Sequence, residues 1–449
     1  MAMQEPKIKV DRVICGKSEE KLKEFPDNFF SGIVTDPPYE LNFMNQAWDS
    51  SGIAYSVELW KEVLRVSKPG SYLFCFGGTR THHRVACAIE DAGWLIRDEM
   101  DWIYGVGFPK SSNISKQIDR QKGAVREVIG TQKGSRGAEG TGYENSVPHA
   151  AGIPKVVIDI PITAPSTELA KQWDGYGTTL KPAREPIIVA MKPLEKGLTF
   201  AANAEKWGTA GFNIDGGRIS SDENKGRWPA NILLSHSPDC VCVENSEVWA
   251  CTPNCPLRMM DAQSFVHATA RVPKVTMQKG CFNSSNDELR PGFDYGGAGG
   301  ASRFFYCAKP SRKEKDAGLL GFVACEICGS MSSKTHMTMD NGIKMRGNCI
   351  RNNHLTVKPV DLMRYCLKLI QMPNDDQVIL DPFCGSGTTL VACQQLGLSY
   401  IGIDMDLENV LIANARYVEL EEHDESLETS DIANLDTELS SEDFADLIA

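Results

Sequence analysis

Two separated blocks of this chain alternate strand-like and helix-like runs, and that alternation restricts the possible folds more than any other feature of the sequence. In residues 11–108, "DRVIC" reads as a strand, "SEEKLKEF" as a short helix capped by Ser18, and "SGIV" as a strand leading into Asp36. "YSVELWKEVLRV" then has helical spacing and "KPG" stops it, "SYLFCF" is a buried strand, "RTHHRVACAIEDAG" a helix ending at Gly93, and "WLIRDEMDWIYG" a closing strand. The pattern resumes near Val357, with "PVDLMRYCLKLI" helical, "QVIL" a strand, "TTLVACQQLG" a helix, "SYIGI" a strand and "LENVLIANARYVEL" a helix. Such alternation predicts an α/β protein with a mostly parallel, doubly wound sheet. Between the blocks the texture is irregular and rich in Gly, Ser and Asn, so they are expected to be halves of one sheet separated by a large insertion. The expected division is 1–109, 110–350, 351–420 and a tail at 421–449.

Charge separates the tail from the rest. Of 59 acidic residues, twelve lie between Glu419 and Ala449, where there is no Lys or Arg; the remaining 47 balance the 47 basic residues. The net charge of -12 therefore belongs to a terminus expected to be solvated, and does not exclude a nucleic-acid partner. Lys110 to Arg136 carries seven basic and two acidic residues, a locally positive stretch. No apolar run is long enough to span a bilayer, and the start "MAMQEPKIKV" lacks the apolar core of a signal peptide, so a cytoplasmic location and no membrane contact are expected.

Two loops carry candidate chemistry. In "DPFCGSGTT", Gly385 and Gly387 stand between a strand and a helix, where bare backbone can approach a ligand; Thr388 and Thr389 replace the Lys-Ser/Thr pair of a phosphate-binding P-loop. Seventeen residues past Gly387, a strand ends at Asp404, from which a carboxylate can bond both hydroxyls of a ribose, so an adenosine-containing cofactor is expected. In "DPPY", Pro37 and Pro38 fix the backbone so that Asp36 and the Pro37 carbonyl can accept both hydrogens of one exocyclic NH₂ group, while Tyr39 offers a face for a planar base.

These motifs and their order resemble the β class of site-specific DNA amino-methyltransferases, in which the target-base motif comes first and the S-adenosylmethionine motif last. The resemblance runs through "TDPPY", "KPGSYLFCFGGT", "DWIYGVGFPKS", "KPAREPI", "GRWPAN", "SRFFYCAKPSRKEK", "NNHLTVKP" and "LDPFCGSGTT", and is strongest to phage-type, adenine-specific enzymes. It implies a Rossmann-like methyltransferase fold and a catalytic motif at Asp36, Pro37, Pro38 and Tyr39. It further implies a cofactor loop at Asp381, Phe383, Gly385 and Gly387, a ribose acid at Asp404, and a loop over the methionine part at Thr356 and Lys358. Two departures stand out: Lys17 where many relatives carry an Asp, and Leu355 where Pro is usual. The implied partner is double-stranded DNA, with one base extruded into the "DPPY" pocket and methylated in line, without a covalent intermediate. The insertion would read the sequence. N6 of adenine is the expected target, N4 of cytosine the alternative, and a homodimer stays open. The rival from another class is a catalytically inactive, zinc-stapled DNA-binding protein.

Fifteen cysteines in a reducing compartment suggest thiols or metal ligands rather than disulfides. Cys240, Cys242, Cys251 and Cys255 have spacing that suits a structural zinc, with His236 a substitute ligand, and Cys325 and Cys328 resemble half of a second zinc site. Either would staple the irregular insertion.

Overall fold

The computed structural model describes residues 8–41, 47–105, 111–136, 156–219, 226–237, 240–242, 249–253, 255–264, 267–268, 298–299, 301–308 and 357–421. Thr356, Cys325, Cys328 and the acidic tail beyond Glu421 lie outside them.

Nine strands form the central sheet: β1 (Arg12–Cys15), β2 (Phe30–Thr35), β3 (Ser67–Phe76), β4 (Leu95–Tyr104), β5 (Arg184–Met191), β6 (Ile232–Ser235), β7 (Tyr306–Ala308), β8 (Val378–Asp381) and β9 (Ser399–Asp404). Their order across the sheet is β1-β9-β8-β2-β3-β5-β4-β6-β7. Every pairing is parallel except those of β5, which runs antiparallel to both β3 and β4. The expected mostly parallel α/β sheet is thus the observed one.

The strands are apolar runs because helices cover both faces of the sheet. Side chains alternate between two cores. Val34, Phe74, Phe76, Val189 and Ile379 enter one, with the helices Val360–Ile370 and Thr388–Gln395. Ile33, Leu73, Cys75, Ile188 and Leu380 enter the other, with the helices Val57–Val66 and His82–Asp91. In Val57–Val66 the buried residues Leu59, Trp60, Val63 and Val66 fall on one helical face. Ser56 caps this helix by accepting the Leu59 amide at 3.2 Å.

Three expectations change. Residues 110–350 are not an insertion outside the sheet, because β5, β6 and β7 all come from this span and complete one side of it. β5 escaped notice because it stands alone, without the alternating helix that marks its neighbours. "KPG" lies inside β3, whose Gly70 adopts φ +81° while its amide donates to the Lys192 carbonyl. Ser18 does not cap its helix, which has no side-chain cap; its hydroxyl donates instead to the Pro382 carbonyl.

Candidate active site

Parallel strands put their carboxyl ends on one edge, and the order of this sheet decides what meets there. The C-terminal strands β8 and β9 are inserted between β1 and β2, so the glycine loop after β8 lies beside the "DPPY" loop after β2. One hydrogen bond joins them: the Thr35 hydroxyl donates to Asp381 Oδ1 at 2.7 Å. Because β5 runs the other way, its first residues arrive at the same edge, and the Pro186 carbonyl accepts the Gly77 amide at 3.0 Å. Glu185 thereby joins the site.

On the glycine-loop side almost every polar group is satisfied within the protein. Asp381 accepts from Thr35 and, at 3.1 Å, from the Phe383 amide through Oδ1, and from the Thr389 hydroxyl at 2.5 Å through Oδ2. Burial pushes its carboxyl up to about 7, although these donors pull the other way. Asp381 therefore organises the loop from behind. Gly385 and Gly387 have φ +52° and +81°, and a Cβ at Gly387 would stand 2.8 Å from the Ala413 Cβ. Arg416, fully buried, donates to the Ser386 carbonyl at 2.7 Å and holds the loop from below. Asp404 Oδ2 accepts the Gly385 amide at 2.9 Å, and Oδ1 accepts from Asp406 and Asn409. Oδ2, with one donor, keeps capacity for a ligand hydroxyl.

The "DPPY" side is a cluster of charges. The Lys358 ammonium lies 2.6 Å from Asp36 Oδ2, 3.0 Å from the Tyr39 hydroxyl and 3.2 Å from Glu185 Oε2. Tyr39 donates to the same Glu185 oxygen at 2.8 Å, and Tyr104 to Glu185 Oε1 at 3.3 Å. The ammonium also sits 5.1 Å from the Tyr39 ring centroid and 5.3 Å from that of Phe76. Lys358 is 9% exposed; Asp36 and Glu185 are each 20%. Burial raises the Asp36 carboxyl, with the Lys358 charge opposing it; burial lowers Lys358, but Asp36 and Glu185 outweigh that and leave it raised. While Oδ2 of Asp36 is pinned, its Oδ1 is buried and has no hydrogen-bond partner among the described residues. A buried carboxylate oxygen without a donor is costly, and a ligand N–H would relieve it.

The structure brings Asp36, Tyr39, Asp381, Phe383, Gly385, Gly387, Asp404 and Lys358 to one sheet edge, but it places the Lys358 ammonium on Asp36. Glu185, Thr35 and Arg416 escaped the sequence reading, and Ser18 was read as a helix cap rather than as a partner of the Pro382 carbonyl. Glu185 had a signal, an acid between Arg and Pro in "KPAREPI", which its neighbours alone could not turn into a role. Of the cysteines, Cys240, Cys251 and Cys255 converge with His236, their ligating atoms all within 4.8 Å of one another. Cys242 lies in a two-residue strand whose side chains are not described.

The site is that of an α/β protein with a glycine loop at a topological switch point and a cluster of charged side chains beside it. The chain belongs to the N6/N4 DNA methylase family, whose model matches residues 30–415. It is 37% identical over 91 residues to the Type II methyltransferase M1.MboII of Moraxella bovis, covering 20% of this chain and 32% of that one. It is 31% identical over 113 residues to the Type II methyltransferase M.Cfr9I of Citrobacter freundii, covering 25% of this chain and 32% of that one. The match thus spans about a third of the length of these curated relatives. The solved PvuII DNA methyltransferase (cytosine-N4-specific) aligns at 13% identity and TM-score 0.40 over 97% of this chain and 90% of that one.

Proposed function

We propose that this chain methylates the N6 amine of adenine in a defined sequence of double-stranded DNA, using S-adenosylmethionine. The observation that carries the reading is the buried, unpartnered Oδ1 of Asp36, one strand away from a glycine loop backed by Asp381 and flanked by Asp404. The residues fit the donor: two glycines at positive φ leave bare backbone in the crevice, and Asp404 keeps an acceptor for a ribose hydroxyl. When bound, S-adenosylmethionine supplies an electrophilic methyl group on sulfur.

The chain's own residues do the rest. Asp36 Oδ1 and the Pro37 carbonyl accept the two hydrogens of an exocyclic amine, which biases the nitrogen toward tetrahedral geometry and frees its lone pair for in-line attack. Lys358, shared with Glu185 and Tyr39, holds Asp36 by its other oxygen so that Oδ1 stays aimed. The Tyr39 ring gives the extruded base a face to stack on. Because burial raises Asp36, its carboxylate is able to take up the proton that leaves the nitrogen. The parts of 110–350 outside the sheet, which include the positive stretch from Lys110, would contact the duplex and read its sequence.

The first-position acid supports adenine, since in related enzymes Asp there goes mostly with adenine and Ser mostly with cytosine. The test is to digest DNA treated with the purified protein and labelled methyl donor to nucleosides and separate them by mass. N6-methyladenine is expected; N4-methylcytosine alone would overturn the base assignment, and no labelled base would overturn the activity.

A further inference from the structure

The described residues contain a second chemically distinctive cluster outside the crevice. His236 follows β6 directly, Cys240 lies four residues on, Cys251 comes after a short hairpin, and Cys255 precedes the helix Pro256–Ser264. His236, Cys240 and Cys255 are buried, at 7%, 8% and 0% exposure. The Nδ1 atom of His236 is 3.3 Å from Cys251 Sγ and 3.6 Å from Cys255 Sγ. Zinc bonds of about 2.3 Å to sulfur and about 2.0 Å to nitrogen, opened to tetrahedral angles, put neighbouring ligand atoms about 3.5 Å apart. The two histidine–sulfur distances match that spacing, and all four ligand atoms lie within 4.8 Å of one another.

We infer that His236, Cys240, Cys251 and Cys255 bind one structural zinc ion, with His236 rather than Cys242 as the fourth ligand. Three thiolates and one imidazole form a closed, soft, tetrahedral set with no position open for water, which assigns the ion to folding rather than catalysis. The local packing explains why an ion is needed. The buried apolar cluster here consists of Leu234, Leu257 and two of the cysteines themselves, with Ile232, Cys251, Met260 and Phe305 packed against it. So small a core contributes little against the entropy of ordering residues 236–264, and metal binding supplies the difference.

The centre also braces the far wall of the candidate active site. Ser235, next to His236, accepts the Trp102 indole N–H at 2.7 Å; Trp102 packs on Tyr104 at 4.9 Å between centroids, and Tyr104 donates to Glu185.

The test measures zinc by elemental analysis in the full chain carrying Cys325→Ser and Cys328→Ser, which removes any metal held at those two cysteines. About one zinc per chain is expected there. Cys251→Ser and Cys255→Ser, each added to that background, should release it, and Cys242→Ser should leave it in place. Should the ligand variants fail to fold, cobalt substitution in the background chain gives an independent reading: the thiolate-to-cobalt absorption of three sulfurs and the visible bands of a tetrahedral site are expected. A background chain without zinc, metal lost in Cys242→Ser but kept in His236→Ala, or an octahedral cobalt spectrum would each overturn the assignment.

Discussion

The two loops that meet at the carboxyl edge are built on opposite principles. Around Asp381 the carboxylate is consumed by Thr35, Thr389 and the Phe383 amide, while Asp404 is held by the amides of Gly385 and Asp406 and keeps one acceptor in reserve, so that the loop offers a ligand mostly shape. Around Asp36 the opposite holds: an ammonium is shared by two carboxylates and a phenol, and one carboxylate oxygen has no donor. The first is rigid and nearly complete without a ligand; the second leaves a buried carboxylate oxygen without a donor until a ligand is in place. Polar groups around a reacting atom need to be preorganised and still have bonding capacity to offer, whereas a cofactor cradle needs only to be rigid.

The largest effect that could break this comparison is a separation of functions. Asp36→Ala should abolish methyl transfer, measured with labelled donor, while S-adenosylmethionine affinity measured by calorimetric titration stays within a few-fold. Asp404→Ala should do the reverse, weakening the donor at least tenfold and leaving turnover at saturating donor largely intact. Turnover retained in Asp36→Ala would mean that the unpartnered oxygen is not the site of reaction.

Gly387→Ala sharpens the claim that the cradle works by shape. The new Cβ meets Ala413 at 2.8 Å on a backbone with φ +81°, so a loss of about 1–3 kcal/mol in urea unfolding is expected, together with weaker donor binding. An unchanged midpoint would show that the loop is softer than its packing implies.

A further test concerns pH. Asp381 has its carboxyl raised from 3.8 to about 7, so the folded chain holds this proton more tightly than the unfolded chain does. Its contribution to stability is fully present below 3.8 and is lost as pH rises through about 7. Asp381→Asn removes that titration. Melting temperatures across this range should therefore fall more steeply with pH for the native chain than for the variant; parallel slopes would break the assignment.

What the sequence disclosed and what it withheld follows the range of the interactions. "DPPY", "GSG" and Asp404 were legible because short motifs carry their own backbone geometry, and the flanking strands because they alternate with helices. Glu185 was not, since its place depends on β5 running antiparallel between β3 and β4. Arg416 was missed and Ser18 misassigned as a cap for a related reason: each bonds a loop carbonyl, of Ser386 and of Pro382, and a carbonyl has no sequence signature. His236 was already within view as a substitute ligand, and the fold brought it close to three of the four cysteines in that stretch.

The interleaving of β8 and β9 between β1 and β2 also governs how the molecule can be made. The contact between Thr35 and Asp381 closes a separation of 346 residues, and it lies in the middle of the sheet, not at its rim. During synthesis, β2 emerges early and has no partner on its β8 side until nearly the whole chain has followed. Local helices form at once, but the centre of the sheet waits for a long loop to close, which is slow and leaves apolar strand edges open meanwhile. Folding of this protein is therefore dominated by a late, long-range event, and a ribosome stalled before residue 378 would carry a chain unable to complete its own core.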